Sequence, residues 1–357
     1  MLYKVPMSYP HSLILCPADA IAGWERAAPL PDDDPDARVA LLSPELPAAG
    51  AAEAIPSWAA DTPPDSWVEL QLRARRGERW SRFYRIAAWD SAPAGSRRTS
   101  FDSQRDEDGR VATDTLRLAA PADALQARVL LCARPGADMP ELERLTLCLS
   151  RESPAPAPAG EPAPSAVELP LLLSQYAYEQ GAGWCSPTAV SMVLAYWRAR
   201  TGDSRLERFA APDCVPTLAA PQIHDPAWEG TGNWSFNVAF AASLGLTAYV
   251  TRMHSLEQVA RWTAAGVPVV VSVAWEAGQI ENAPGSTDGH LTLVTGFADG
   301  RAMIAEPAGR GGPEAIRRAY PAGQLGAAWQ ENSNGTVYLI YPDGWPTPEP
   351  GPGDAWV

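Results

Sequence analysis

Most signatures of the common cofactor-dependent enzymes are missing from this chain. It has no Walker-type phosphate loop, no dinucleotide fingerprint and no HExxH pair. Nucleotide, nicotinamide and zincin-type chemistry therefore have no sequence support. Five cysteines are scattered at Cys16, Cys132, Cys148, Cys185 and Cys214 without a CxxC pair, which argues against structural zinc. An odd, unpatterned count points to free thiols, one of them available for catalysis. Cys132 and Cys148 read as buried strand thiols in preference to a bridge. No window approaches the ~20 apolar residues of a membrane helix. The stretch at 13–16 is too short and wrongly flanked for an export signal. The expectation is a soluble, cytoplasmic protein with no membrane span, no metal and no cofactor. Lysines are few, and the net charge is -14. Such a chain is repelled by phosphate backbones and anionic bilayers. The basic stretches at 73–85 and 97–98 alternate with apolar and acidic neighbours and read as solvated strand faces, so no nucleic-acid partner is expected.

What the chain does have is length and proline. Its 357 residues suggest two domains, and 36 of them are proline. Residues 151–166 alternate Pro with Ala, which forces extended backbone and removes ladder donors, so they read as a semi-rigid linker. Before it, residues 1–150 read as strands. Val68, Leu70, Leu72 and Ala74 alternate with Glu69, Gln71 and Arg73, the period of a half-buried strand. Residues 80–89, 111–118, 125–133 and 142–149 behave alike, and turn-rich segments separate them. A β-sandwich-like accessory domain is expected there, with 30–64 as loop. Trp58, Trp67, Trp80 and Trp89 could form a sugar platform; filling the core is the stronger reading.

After the linker the period changes. Val190, Val193, Leu194 and Trp197 lie on one helical face of 186–200, and 236–244 and 256–265 also look helical. Strand-like runs follow at 267–274, 290–297, 302–305 and 336–341. Helices first and strands later indicate an α+β domain over 167–345, and the Pro/Gly-rich end, 346–357, reads as a flexible tail.

Chemistry concentrates in this second half. Cys185, in Gly181-Ala182-Gly183-Trp184-Cys185-Ser186-Pro187-Thr188, opens the first helix, where unpaired N–H groups and the helix dipole favour a thiolate. Position alone suits a buried helix-opening thiol equally well. His290, after Gly289 and at the mouth of an apolar strand, is the matching base among four histidines; His224, in a turn before Asp225-Pro226, is its rival. Glu306 ends the next strand, where a hairpin would bring it beside His290 to fix the imidazole. A surface acid before Pro307 is the equal alternative. Gln175 precedes the thiol and can donate to an oxyanion together with the Cys185 N–H, with Gln180 competing for that place. Gly183, Trp184 and Gly289 flank the dyad as substrate contacts. Trp234, closing the aromatic, glycine-rich stretch 225–234, is a groove candidate or simply packs on the domain.

These motifs resemble cysteine peptidase family 39, the bacteriocin-processing, double-glycine-leader group of the papain-like superfamily, in its soluble bacterial branch. The resemblance runs from Leu169-Pro170-Leu171-Leu172-Leu173-Ser174-Gln175 through Gly183-Trp184-Cys185-Ser186-Pro187-Thr188, Gly289-His290-Leu291 and Glu306-Pro307 to Val337-Tyr338-Leu339-Ile340. It covers roughly residues 167–342. It implies a papain-like fold with Cys185 as nucleophile, His290 as base and Gln175 as oxyanion donor. The family's third member is usually Asp before Pro; here Glu306 is one methylene longer. Ser186 stands where the family often has Gly. The first half resembles the β-rich domain that precedes such peptidase domains in some bacterial proteins.

The function expected is hydrolysis of peptide bonds in a peptide or protein partner by a Cys–His mechanism through an acyl-enzyme. An acyl-transferring, transpeptidase-like enzyme with the same dyad is a second expectation. A peptide-binding module with a retired site, suggested by Glu306, is a third. Oligomeric state is not readable from the sequence.

Overall fold

A computed structural model of the protein describes residues 10–30, 33–92, 97–151 and 160–357. Residues 152–159 of the expected linker lie outside the described residues. The chain divides into two compact units. One groups Met1–Pro154 with Asp225–Glu229 and Ala355–Val357; the other groups Ala155–His224 with Gly230–Asp354.

The first unit is built of strands. In order come β1 (His11–Pro17), β2 (Glu25–Ala27), β3 (Ala37–Leu42), β4 (Leu46–Asp61), β5 (Ser66–Arg76) and β6 (Arg79–Trp80). Then follow β7 (Tyr84–Trp89), β8 (Thr99–Ser100), β9 (Gly109–Ala112), β10 (Thr115–Ala133) and β11 (Glu141–Ser150), with a short helix α1 (Ala18–Ala22) after β1. The main sheet path runs β1-β11-β4-β10-β5-β7-β8, and its pairs are antiparallel.

Two expectations are corrected here. Residues 30–64 are not mainly loop: they carry β3 and the 16-residue β4. Alanine, glycine and proline have low strand propensity. In β4, however, Ala51, Ala54, Ile55 and Trp58 are buried, and the strand lies between β11 and β10. Packing overrides propensity. The runs 111–118 and 125–133 are not separate strands either. β9 and β10 form a hairpin, and β10 continues through Pro121 with its register against β4 slipping between Arg117 and Ala122. A bulge accommodates a residue that cannot donate to the ladder.

The alternation in β5 holds, but both of its faces are buried. Glu69, wholly buried, accepts Arg85 Nε at 2.8 Å, Arg85 Nη2 at 2.6 Å and Gln71 Nε2 at 2.9 Å. Buried charge persists only when it is paired in this way. Trp58, Trp67 and Trp89 are core residues. Trp80 is half-buried beneath the Arg73 guanidinium, 4.6 Å from its ring centroid. Cys132 is a free, buried thiol, and Cys148 is buried.

The second unit carries six α-helices among its described residues: α2 (Cys185–Thr201), α3 (Ala220–Ile223), α4 (Trp234–Ser243), α5 (Leu256–Ala264), α6 (Pro313–Ile316) and α7 (Ala322–Ser333). Its strands are β12 (Ser165–Ala166), β13 (Leu246–Arg252), β14 (Val269–Trp275), β15 (Thr287–Ala298), β16 (Arg301–Ala305), β17 (Arg317–Pro321) and β18 (Thr336–Pro342). They form an antiparallel sheet in the order β13-β18-β14-β15-β16-β17, with β12 on β15. This is the expected α+β arrangement.

Helix α2 is buried all round from Cys185 to Trp197, not along one stripe, so it is the core of the unit. It ends at Gly202, whose φ of 70° suits a left-handed cap. The Pro/Gly-rich chain end is held, contrary to the flexible tail expected. Gln258 Nε2 and Arg261 Nη1 of α5 each donate to the Asp354 carboxylate at 2.5 Å, and Trp356 is buried. Composition favours loop there, and two specific donors fix it. Among the described residues no helix is long and apolar enough to cross a membrane.

Candidate active site

Three elements converge on one place. Helix α2 opens on Cys185, its cap residue Trp184 making no side-chain cap bond, so its first N–H groups have no intrahelical partner. Pro187 in the first turn forfeits a donor that would be idle there. Strand β15 delivers His290, opposite Val273 of β14. The β15–β16 hairpin pairs Leu293 with Ala305, so the next residue, Glu306, faces Thr292. Thr292 and His290 are two apart and share a face of β15.

Two of the three side chains are hydrogen-bonded: His290 Nε2 meets Glu306 Oε1 at 2.5 Å. Cys185 lines the same cavity as His290, and each group shifts the proton affinity of the other. Glu306 is wholly buried, and both its oxygens are taken. Oε1 also accepts the Ala308 N–H at 2.8 Å, and Oε2 accepts Thr292 Oγ1 at 3.0 Å and Tyr320 OH at 2.9 Å. The edge of Trp275 packs on the imidazole, with ring centroids 5.4 Å apart.

Burial and partners act against each other on each group. Burial pushes the Cys185 thiol up, but His290, with the Leu291 N–H, brings it below its ordinary value. Burial pushes His290 down, but the Glu306 charge and Cys185 hold it well above the usual imidazole range. Burial pushes Glu306 up, and His290, the Ala308 N–H and Tyr320 hold it below the usual carboxylate range. Both directions favour a charged thiol–imidazole pair over a neutral one.

A cavity of about 570 Å³ opens onto the pair. Gln175 lines it and is buried, and its Oε1 has no hydrogen-bond partner. Gln180 is exposed and outside the lining. The Gln175 turn is tied to the chain after Glu306: Gln175 N donates to Pro307 O at 2.8 Å, and Ser174 Oγ donates to Gly309 O at 2.5 Å. Gly181 allows close approach there, since a Cβ would lie 1.6 Å from the Gln175 carbonyl oxygen.

Of the remaining sequence candidates, Gly183 and Gly289 line the cavity, while Trp184 and Trp234 do not. Trp184 packs on Tyr178 with centroids 6.0 Å apart. Trp234 opens α4 behind the Asn233 cap. The neighbouring loop has a supporting contact instead: Thr231 Oγ1 donates to the Gly183 carbonyl at 2.8 Å. His224, the rival base, lies at the end of α3 and outside the cavity lining. Among the described residues no cluster is placed to hold a metal ion.

Sequence reasoning missed Thr292, Tyr320, Trp275, Arg310 and Arg318 around this cavity. Thr292 was within reach, because strand alternation puts it on the His290 face. Trp275 ends β14, just past the run read from the sequence; Arg310 depends on a loop path, and Arg318 and Tyr320 on a strand, β17, that carries no clear period.

A thiol and an imidazole at one cavity of an α+β domain, with a carboxylate hydrogen-bonded to the ring, define a candidate thiol-dependent site. Residues 171–337 match the Peptidase C39 like family, and residues 37–150 match the Peptidase C39 N-terminal domain. Over these two stretches the chain is similar to the C39-like family and to the domain that precedes it. Similar solved structures include a C39-like peptidase from Bacillus anthracis, at 15% identity, covering 50% of this chain and 97% of that one, with a TM-score of 0.35. Another is a double glycine motif protease from an AMS/PCAT transporter in complex with the leader peptide. It has 15% identity, covers 53% of this chain and 99% of that one, and has a TM-score of 0.27. No curated relative matches.

Proposed function

We propose that the protein is a cysteine peptidase in which Cys185 attacks a peptide carbonyl, His290 moves the proton and Glu306 orients the imidazole. The observation that carries this reading is that Cys185 and His290 line one cavity, with Glu306 hydrogen-bonded to the imidazole. The thiolate adds to the carbonyl carbon, and the oxygen becomes an oxyanion. Gln175 and the Cys185 N–H are the proposed donors to it. His290 gives its proton to the leaving amine as the C–N bond breaks, leaving a thioester. It then takes a proton from water, which adds to the thioester, and the acid product departs as the thiol is restored. Glu306 keeps the imidazole in the tautomer that serves both steps.

Incubation of the wild-type chain and Cys185→Ala with a mixed peptide library, read by mass spectrometry, tests this. New termini are expected with wild type only. Identical, uncleaved libraries from both proteins would rule the hydrolase out.

A further inference from the structure

The cavity that opens on Cys185 is lined by two guanidinium groups and no carboxylate. Arg310 and Arg318 stand there with Tyr176, Trp275 and His290, and none of the lining residues is Asp or Glu. This is unusual in a chain with 42 acidic and 28 basic residues. Elsewhere in the same unit, Arg198, Arg205, Arg261 and Arg301 are each paired with an acid, while the exposed Arg200, Arg208 and Arg317 are not, among the described residues. Among the described residues, Arg310 and Arg318 have no such partner.

Both are nevertheless positioned. The Arg310 guanidinium stacks over Tyr176, 3.5 Å from its ring centroid, a contact that uses the flat face and leaves the donating edges free. Arg318 donates Nε to Ala315 O at 2.8 Å and Nη1 to Asn282 O at 3.4 Å. Two backbone segments thus hold it, and Nη2 is unspent. A planar fork with free edge donors matches a carboxylate in two-point geometry. Ordering such a side chain beforehand lowers the entropy lost on binding.

We propose that Arg310 and Arg318 form an anionic subsite that takes a carboxylate of the peptide substrate, either an acidic side chain or a free C-terminus. The proposal rests on the reading of this cavity as a peptide site, and its test is independent of turnover. The full chain carrying Cys185→Ala is titrated with fluorescent decapeptides that differ at one position, Glu or Gln, and at the end, free acid or amide. Binding is read by anisotropy. One Glu peptide is expected to bind roughly 10-fold more tightly than its Gln twin, the size of one charge-assisted contact. If the C-terminus is the group recognised, the acid will instead exceed the amide by that factor. Adding Arg310→Gln with Arg318→Gln should erase the preference and leave the Gln-amide affinity within about twofold. Thermal unfolding of the variants should match that of the parent. Equal affinities across all pairs, no binding of any peptide, or a preference that survives the double substitution would each overturn the subsite. Cleavage by the wild type without charge preference removes the subsite alone. Charge-selective binding without cleavage removes the hydrolase alone.

Discussion

Glu306 reaches the imidazole from a side chain one methylene longer than aspartate, and its neighbours hold it there. Four donors, from His290, Ala308, Thr292 and Tyr320, fix both carboxylate oxygens. Glu306→Gln should cut turnover by about 10²-fold or more, because the imidazole loses the partner that sets its tautomer and charge. Tyr320→Phe should cost less activity but about 1.5–3 kcal/mol of stability, the worth of a hydrogen bond to a buried charge, measured by urea unfolding. The depressed Glu306 carboxyl adds stability above its unfolded value and loses it as pH falls through the folded value. Removing Tyr320 raises that folded value, so acid destabilisation should begin at higher pH in the variant.

The same balance predicts thiol selectivity. Burial pushes Cys16 and Cys214 up to about 11, whereas Cys185 is brought below its ordinary value. At about pH 6, iodoacetamide should label Cys185 at least ~10-fold faster than either, read by peptide mass spectrometry. The rate should rise as pH climbs through the lowered Cys185 value and change again as His290 loses its proton above the usual imidazole range. The sequence singled out Cys185 and His290 through a glycine-led helix start and a strand mouth, and the fold brings both to one cavity. It could not show how Glu306 is secured, because Tyr320 arrives from β17, whose residues carry no readable period.

At the scale of elements, legibility tracked side-chain size. Helices α4 and α5 and strands β14, β15, β16 and β18 were visible because large apolar residues mark them. Strand β4 was not, because alanine leaves little pattern; its burial between two neighbours is a property of the sheet. Helix α2 was found by its period, yet that period missed its burial on every side, since Ser186, Thr188 and Ser191 read as a polar face. The Gly181 turn gives an element-level test. Gly181→Ala places a methyl against the Gln175 carbonyl, so the turn has to shift. Activity should fall at least ~10-fold, as misplacing a group near the reacting atoms does. Global unfolding should move far less than for a core truncation. Activity equal to wild type would mean that the Gln175 turn is not part of the machinery.

On the scale of the whole molecule, the acidic balance and the proline bias were plain in the sequence, and the destination of the chain end was not. Asp354 is the reason. A single carboxylate that accepts from Gln258 and Arg261 fastens a stretch whose composition resembles a free tail. Asp354→Ala should lower stability by about 1–3 kcal/mol, mostly from the buried Gln258 amide left without its acceptor. The Arg261 side chain is 41% exposed and contributes little of that. Differential scanning calorimetry of the full chain would show it as a lower transition temperature.

The two ties from the Ser174–Gln175 turn to Pro307 and Gly309 carry a consequence for how this protein tolerates change. The arm that would steady negative charge on the reacting carbonyl and the arm that carries Glu306 are stitched together by one main-chain bond and one from a serine hydroxyl. A shift in one drags the other. Paired replacements at 175 and 306 should therefore cost less together than the product of their separate costs, and drift at either position is constrained by its counterpart.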